Sequence, residues 1–304
     1  MTEIIDFLLF DRFSALCLAN SVEPLRAAND LAGKRLYAWR FLTLDGDPVR
    51  SSSGMQVTSE LRLADARGDM LVVLPSYGFR THASPANARA LAAAARRYSI
   101  MAGFDTGAWL LAQAGLLDGH RATIHWEELP AFEETFPEVD AVRERHVKDR
   151  NRITCTGALA AFDLTLDRIG AAHGAALRLE VAMLFMAPGA APSSAPPIAK
   201  SRVVGRALSA MRAAIEDPLP ITEIARRAGC SLRDLEHRMR DELGEPPSAI
   251  YRRMRLISAR KAVIETNLPI AEVALRAGYE NASAMTRAFK AEFGATPRQM
   301  RAGR

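Results

Sequence analysis

Between Ile221 and Pro297 the chain writes one helix–turn–helix-like pattern twice, and few folds accommodate such a pattern. The first copy opens ITEIARRAGC and closes DELGEPP; the second opens IAEVALRAGY and closes AEFGATP. Ile221, Glu223, Ala225, Ala228 and Gly229 recur 49 residues on as Ile270, Glu272, Ala274, Ala277 and Gly278. Past the turn the offset becomes 50, pairing Glu242, Gly244 and Pro247 with Glu292, Gly294 and Pro297, so the second turn is longer by one residue. In each copy a short predicted helix (221–228, 270–277) runs into a glycine, which takes up a positive φ at the C′ position without steric cost. Ser231 or Asn281 then caps a second helix, predicted over 232–243 and 282–293. Its apolar anchors are Leu235, Met239 and Leu243 in one copy and Met285, Phe289 and Phe293 in the other. Residues 248–266 predict a linking helix, with Ile250, Met254, Ile257, Ala262 and Ile264 inward and Arg252, Arg253, Arg255, Arg260 and Lys261 outward.

An array of helical hairpins serving protein contacts would carry the same pattern. Charge argues against it. Residues 200–304 hold 20 Lys/Arg against 12 Asp/Glu, a net of +8, while residues 1–199 hold 20 against 23. A basic tail behind a slightly acidic body points to a polyanionic partner for the tail. A linking helix of this length also sets the two second helices for successive major grooves on one face of DNA, about 34 Å apart.

The chain of 304 residues has room for two domains. No run of 18 apolar residues and no charged-then-apolar leader is present, so no membrane partner is expected. Three cysteines, Cys17, Cys155 and Cys230, without metal-ligand spacing fit a reducing cytoplasm. No metal and no cofactor is expected.

Ahead of the repeat, apolar runs alternate with helical stretches. Strands are predicted over 3–10, 37–44, 70–74, 99–104, 122–125 and 153–156, and helices over 14–29, 86–98, 106–117, 126–135 and 157–186. The continuous run MLVVL reads as a strand covered on both faces. Alternation of this kind gives an α/β, flavodoxin-like doubly wound sheet domain, followed by an all-α domain. The segment PGAAPSSAPP sustains neither helix nor core and reads as a linker. The expected domains are a sensor over 1–187, a linker over 188–200, and a helical domain over 201–304 with helix-turn-helix units at about 221–243 and 270–293.

The repeat, above all ETNLPIAEVALRAGYENASAMTRAFKAEFGATPRQMR, closely resembles the AraC/XylS family of bacterial transcription regulators. That resemblance implies that the second helix of each unit enters the major groove of promoter DNA. By position, it marks Arg233, Glu236 and His237 in the first unit and Ala282, Ser283, Thr286 and Arg287 in the second as base readers. His237 stands where relatives usually have arginine. Arg, Ser and Thr supply hydrogen bonds to base edges, whereas Ala282 offers only an apolar contact. Arg240, Lys290 and Arg298 are assigned to phosphates.

FDTGAWLLAQAGLLDGHRATIHWE, residues 104–127, resembles the nucleophile elbow of the class I glutamine amidotransferase-like fold, including PfpI-type proteases. There a cysteine occupies the turn and a histidine follows the next strand. Here the positions hold Asp105 and His125, with Glu23 where such proteins carry an acid. A carboxylate is a poor nucleophile for amides, so no catalytic residue is assigned, and a retired active site reused as a binding pocket is expected. The bland alternative for Asp105 is a helix cap. Glu23, Asp105, Thr106, His125 and Trp126 are the expected ligand residues. An acidic wall beside an aromatic ring suits a cation, and backbone groups around Ser76 and Tyr77 suit a carboxylate.

The two halves together, on VEPLRAAN, DTGAWLLAQAGLLDG and RATIHWE, resemble GlxA-type regulators. The resemblance implies a cytoplasmic homodimeric activator that works with RNA polymerase and answers to a small effector such as betaine, carnitine or arginine. The alternative is a hydrolase or amidase with a DNA-binding tail.

Overall fold

The computed structural model describes residues 2–185 and 201–302, so the expected linker at 188–200 lies outside the described residues. The chain divides into two compact units, residues 1–168 and 169–304.

In the first unit seven strands make one sheet: β1 (Glu3–Leu9), β2 (Tyr37–Thr43), β3 (Leu61–Arg62), β4 (Gly68–Leu74), β5 (Tyr98–Phe104), β6 (His146–Asp149) and β7 (Arg152–Cys155). Their spatial order is β6-β7-β5-β4-β1-β2-β3. All neighbours are parallel except the edge pair β6–β7. The run Met70–Leu74 is wholly buried, as a central parallel strand must be. Leu71 and Val73 pack in a cluster with Leu91 and Ala94 of α2 (Pro85–Ala94), Trp109 to Ala112 of α3 (Gly107–Gln113) and Phe132 of α4 (Leu129–Thr135). Met70 and Val72 face Ser21 and Leu25 of α1 (Ala15–Ala32) and Leu164 of α5 (Ala158–His173). Each large apolar side chain so enclosed contributes roughly 1.5–3 kcal/mol relative to exposure.

The structure differs from the expected elements at three places. Strand β6 has no counterpart among the expected strands, because HVKD is too short and polar to show period-two alternation. Of the expected strand 122–125 Ala122 alone pairs, together with Arg121 before it, against Asp140–Ala141; the next amide, Thr123, donates instead to Thr154 Oγ1 at 2.8 Å. The helix expected over 157–186 is broken at Gly174, where φ is +93°. Beyond that break α6 (Ala175–Phe185) buries Leu179 among helices of the second unit. The boundary expected at residue 187 therefore falls at 168.

The second unit continues with α7 (Arg202–Ala213), α8 (Ile221–Ala228), α9 (Leu232–Leu243), α10 (Pro247–Glu265), α11 (Ile270–Arg276), α12 (Ala282–Phe293) and α13 (Pro297–Ala302). Two cores form, one per copy of the repeat. The first gathers Leu208, Met211, Ile224, Leu235, Met239 and Met254 with their neighbours. The second gathers Leu256, Val263, Val273, Met285 and Phe289. Helix α10, about 28 Å long at 1.5 Å per residue, supplies both cores. Its arginines are not all outward. Arg255 donates to Ala277 O at 2.9 Å and Gly278 O at 2.6 Å, satisfying the free carbonyls at the end of α11. Arg253 and Arg260 are also half-buried. In the first copy Arg206 of α7 makes the same closure, donating from Nε to Ala228 O at 2.8 Å. Arg206 and Arg255 are 49 residues apart, so the repeat extends one helix further upstream than the motif alone suggested.

Candidate functional site

Four adjacent strands of the first unit, β7, β5, β4 and β1, end on one edge of the sheet. The connections leave β1 and β4 in opposite directions, which makes this the switch point where open α/β sheets leave a crevice. Non-glycine residues with positive φ gather there: Arg12 after β1 (+66°), Ser76 after β4 (+51°) and Asp105 after β5 (+59°). Such conformations cost on the order of 1–3 kcal/mol each and persist where the surroundings impose them.

Two glycines impose the turn at Asp105. A Cβ on Gly107 would lie 2.0 Å from Val73 O, and one on Gly103 would lie 2.6 Å from Ala108 N. Only glycine lets α3 start this close to β4 and fold back over β5. The turn is then locked by backbone bonds: Asp105 N–H donates to Cys155 O at 3.0 Å, and His125 N–H donates to Asp105 O at 3.1 Å. Thr106, not Asp105, is the N-cap residue of α3, and no side chain caps that helix. Thr106 instead donates its hydroxyl to Ser76 O at 2.7 Å.

The Asp105 carboxyl is held above its usual value, first by burial, with a hydrogen bond from Ser76 and the nearby His125 opposing the shift. The Ser76 hydroxyl also accepts from Ser14 N–H at 3.0 Å, fixing it between the head of α1 and the Asp105 turn. Gly157, after β7, completes the cluster: a Cβ there would stand 3.8 Å from His125 Cδ2 and 3.9 Å from Asp105 Cγ. Ser76, Asp105, Thr106 and His125 are thus brought together. Trp126 follows with its ring 5.7 Å from that of His125, and Trp126 and Tyr77 stay 64% and 57% exposed at the rim. Glu23 is not joined to this cluster; its carboxylate accepts from Arg26 Nε at 2.8 Å on its own helix.

Arg12 joins the rim of this cluster although no sequence motif marks it. Its exposed guanidinium lies 3.9 Å from where a side chain on Gly78 would begin, beside the Ser76–Tyr77 turn, and it has no ionic partner among the described residues. One arginine after a strand carries no sequence signal; its placement came from the fold. Cys17 and Cys155 lie beneath the cluster, fully buried. Burial pushes the Cys17 thiol far up and the Cys155 thiol up to about 12. Neither offers the exposed thiolate that nucleophilic sulfur chemistry requires.

In the second unit each helix pair is closed by a left-handed glycine, Gly229 at +76° and Gly278 at +71°. Ser231 and Asn281 cap the helices that follow, accepting from Asp234 N at 3.1 Å and Ala284 N at 2.8 Å. Leu235 and Met239 of α9 and Met285 and Phe289 of α12 point into their cores. That leaves Arg233, His237 and Arg240 exposed on α9, and Ser283, Arg287 and Lys290 exposed 50 residues later on α12. Glu236 and Thr286 are half-buried between them, as is Ala282 at the head of α12. Arg298 is exposed on α13.

The two faces differ electrostatically. On α9, His237 pairs with Asp241 at 3.2 Å, Arg238 with Asp234 at 2.9 Å and Arg240 with Glu236 at 3.7 Å. On α12, Arg287 and Lys290 have no ionic partner among the described residues. The first helix engages His237, Arg238 and Arg240 with its own carboxylates and leaves Arg233 without an ionic partner among the described residues, whereas both exposed cations of the second are free of one.

Residues 206–303 match a helix-turn-helix domain family. The HTH-type transcriptional regulator CdhR of Pseudomonas aeruginosa is 36% identical over 306 residues, covering 97% of this chain and 90% of that protein. The HTH-type transcriptional regulator GlxA of Rhizobium meliloti is 33% identical, covering 98% of this chain and 95% of its own length. The chain belongs to the GlxA-type regulators of the AraC/XylS family. A ThiJ/PfpI family protein from Pseudomonas syringae shares the fold, with a TM-score of 0.54 at 20% identity over 75% of this chain and 89% of that one. The chain is therefore a helix-turn-helix transcriptional regulator that carries a flavodoxin-like domain. No described helix is long and apolar enough to cross a membrane.

Proposed function

We propose that the first unit is a non-catalytic sensor for a small amine-bearing metabolite and that its occupancy controls how the second unit engages promoter DNA. The observation that carries this reading is Asp105. It sits in a strained turn at the sheet's switch point, half-buried, and is not spent on capping α3. A carboxylate so held, next to His125 and the exposed rings of Trp126 and Tyr77, suits a cationic head group through charge and ring-face attraction. Arg12 across the Ser76–Gly78 turn suits a carboxylate. A zwitterion such as betaine or carnitine, or arginine, meets both demands. Asp105 stands where the amidotransferase-like resemblance expects cysteine, and the two cysteines below are closed off, which favours a binding protein over a hydrolase. The same reading has the chain act as a homodimeric activator that recruits RNA polymerase, with Arg233, Ser283, Thr286 and Arg287 at base edges and Arg240, Lys290 and Arg298 at phosphates.

The test is a thermal-shift panel of glycine betaine, carnitine and arginine on the full chain, because a ligand bound only by the native state raises its melting temperature. At least one compound is expected to raise it, and Asp105→Asn to abolish the shift. A shift that persists undiminished in Asp105→Asn removes Asp105 from the site, and turnover of an amide substrate that disappears in Asp105→Asn overturns the sensor reading.

A further inference from the structure

The helix α6 precedes the residues that the family model matches, yet it packs as part of the second unit. Leu179 belongs to the first helix-turn-helix core, with Ala175 and Met183 packed against it. Glu180, the residue after Leu179, is only 2% exposed and is ion-paired with Arg253 of α10. Arg253 Nε lies 3.2 Å from Glu292 Oε1 on α12. A buried carboxylate is costly unless paired; burial pushes the Glu180 carboxyl up, and Arg253 pulls it back. The repeat explains the second half of this chain of charges. Glu242, the counterpart of Glu292, accepts from Ser201 N at 3.1 Å at the head of α7. Each copy thus ties its last helix to its first through the same glutamate. Among the described residues the second copy adds a further carboxylate from outside the repeat, and it is on α12 that Arg287 and Lys290 both lack an ionic partner.

We infer that Glu180 is a positioning residue for DNA reading: through Arg253 and Glu292 it fixes the orientation of α12 from a helix outside the repeat. It touches no base. Its effect is to hold the Arg253 guanidinium against Glu292, so that the C-terminal turn of α12, which carries Lys290, stays in one place and Arg287, just before that turn, keeps its aim. Because α6 lies just upstream of the linker region, the DNA-reading unit includes a segment that a cut at residue 201 removes. The inference rests on α12 being a base-reading helix.

The experiment uses the full chain and a duplex selected by the unaltered protein from a randomised pool, with a scrambled duplex of equal composition as the non-specific control. Glu180→Gln is expected to weaken binding to the selected duplex about tenfold, with scrambled-duplex binding unchanged, since phosphate attraction does not depend on helix aim. Glu292→Gln added to it should cost less than Glu292→Gln alone, because the two act in one chain. Should Glu180→Gln fail to fold, Arg253→Lys replaces it; the charge stays, the planar fork is lost, and the same split between duplexes is expected. Selected-duplex binding within twofold of the unaltered chain overturns the inference. So does an equal loss on both duplexes, which marks a role in stability alone. If Arg287→Ala leaves selected-duplex binding intact, the base-reading assignment of α12 has failed, and amide exchange decides about Glu180 separately. Glu180→Gln should then speed exchange in α12 and leave α8 and α9 unchanged; uniform exchange rates refute the positioning role.

Discussion

Arg287→Ala removes an exposed cation that no described residue neutralises, whereas the equivalent change 50 residues earlier, His237→Ala, removes a ring already engaged by Asp241 at 3.2 Å. The two positions have the same relation to their helices: each lies two residues after a core anchor, Leu235 or Met285, and two before the next, Met239 or Phe289. Geometry therefore treats them alike and electrostatics does not. An arginine reading a guanine edge discriminates by about 1–3 kcal/mol, which is about 5- to 150-fold in affinity. A surface side chain already held by its own helix costs about 0.5 kcal/mol or less on removal, roughly twofold. The assay is fluorescence anisotropy of the full chain on a duplex selected by the unaltered protein, at one fixed salt concentration because phosphate binding is salt-dependent. Arg287→Ala should lose at least about fivefold and His237→Ala no more than about twofold. Equal losses at both positions would refute the argument that α12 is the dominant reader.

Gly107→Ala places a methyl 2.0 Å from Val73 O, and overpacking of this severity should destabilise the first unit by about 3 kcal/mol or more; a denaturation midpoint unchanged from the parent would contradict the packing account of the Asp105 turn. Arg255→Met deletes two charged hydrogen bonds to the end of α11 and a guanidinium 4.4 Å over the Tyr279 ring. About 2–4 kcal/mol should be lost, with faster amide exchange confined to α11 and α12; exchange unchanged there would remove the capping role. Thiol titration of the native chain at mildly alkaline pH should leave Cys17 and Cys155 unreacted until unfolding, and rapid native labelling of either would reopen cysteine chemistry at this site. Asp105 has a pH signature whose sign follows from its shift. Its native value lies above the ordinary 3.8, so the native state binds the proton more tightly and loses stability as pH rises through that window. At neutral pH without ligand, Asp105→Asn should therefore melt at a higher temperature than the parent, and a lower melting temperature would contradict the burial argument.

The helical repeat was legible because its glycines, caps and anchors each have one physical reason to recur at a fixed spacing. Helices α9 and α12 start where Ser231 and Asn281 predicted, and the structure ends them at the left-handed Gly244 and Gly294. The central strands were legible from continuous apolar runs. Strand β6 was not, because a short polar edge strand carries no periodic signal. The outward reading of Arg253, Arg255 and Arg260 erred because α10 lies between two cores and has no single solvent face, so a charge there is spent on a carbonyl, a carboxylate or a ring. At the candidate crevice, Asp105 and His125 were visible through the turn between strand and helix. Arg12 and the separation of Glu23 depended on how distant loops meet, which one sequence does not encode in any local pattern. Helix α6 was assigned to the wrong domain because its apolar stretch continues that of α5 with only Gly174 between them.

The central claim joins two units: a crevice around Asp105 that senses an amine-bearing metabolite and a repeat that reads DNA. It is tested most directly by the affinity of the full chain for its selected duplex, measured with and without the compound that shifts its melting temperature, in the parent and in Asp105→Asn. The account predicts that the compound changes duplex affinity in the parent and has no effect in Asp105→Asn, whose affinity without compound matches the parent's. An identical response in both proteins would contradict it.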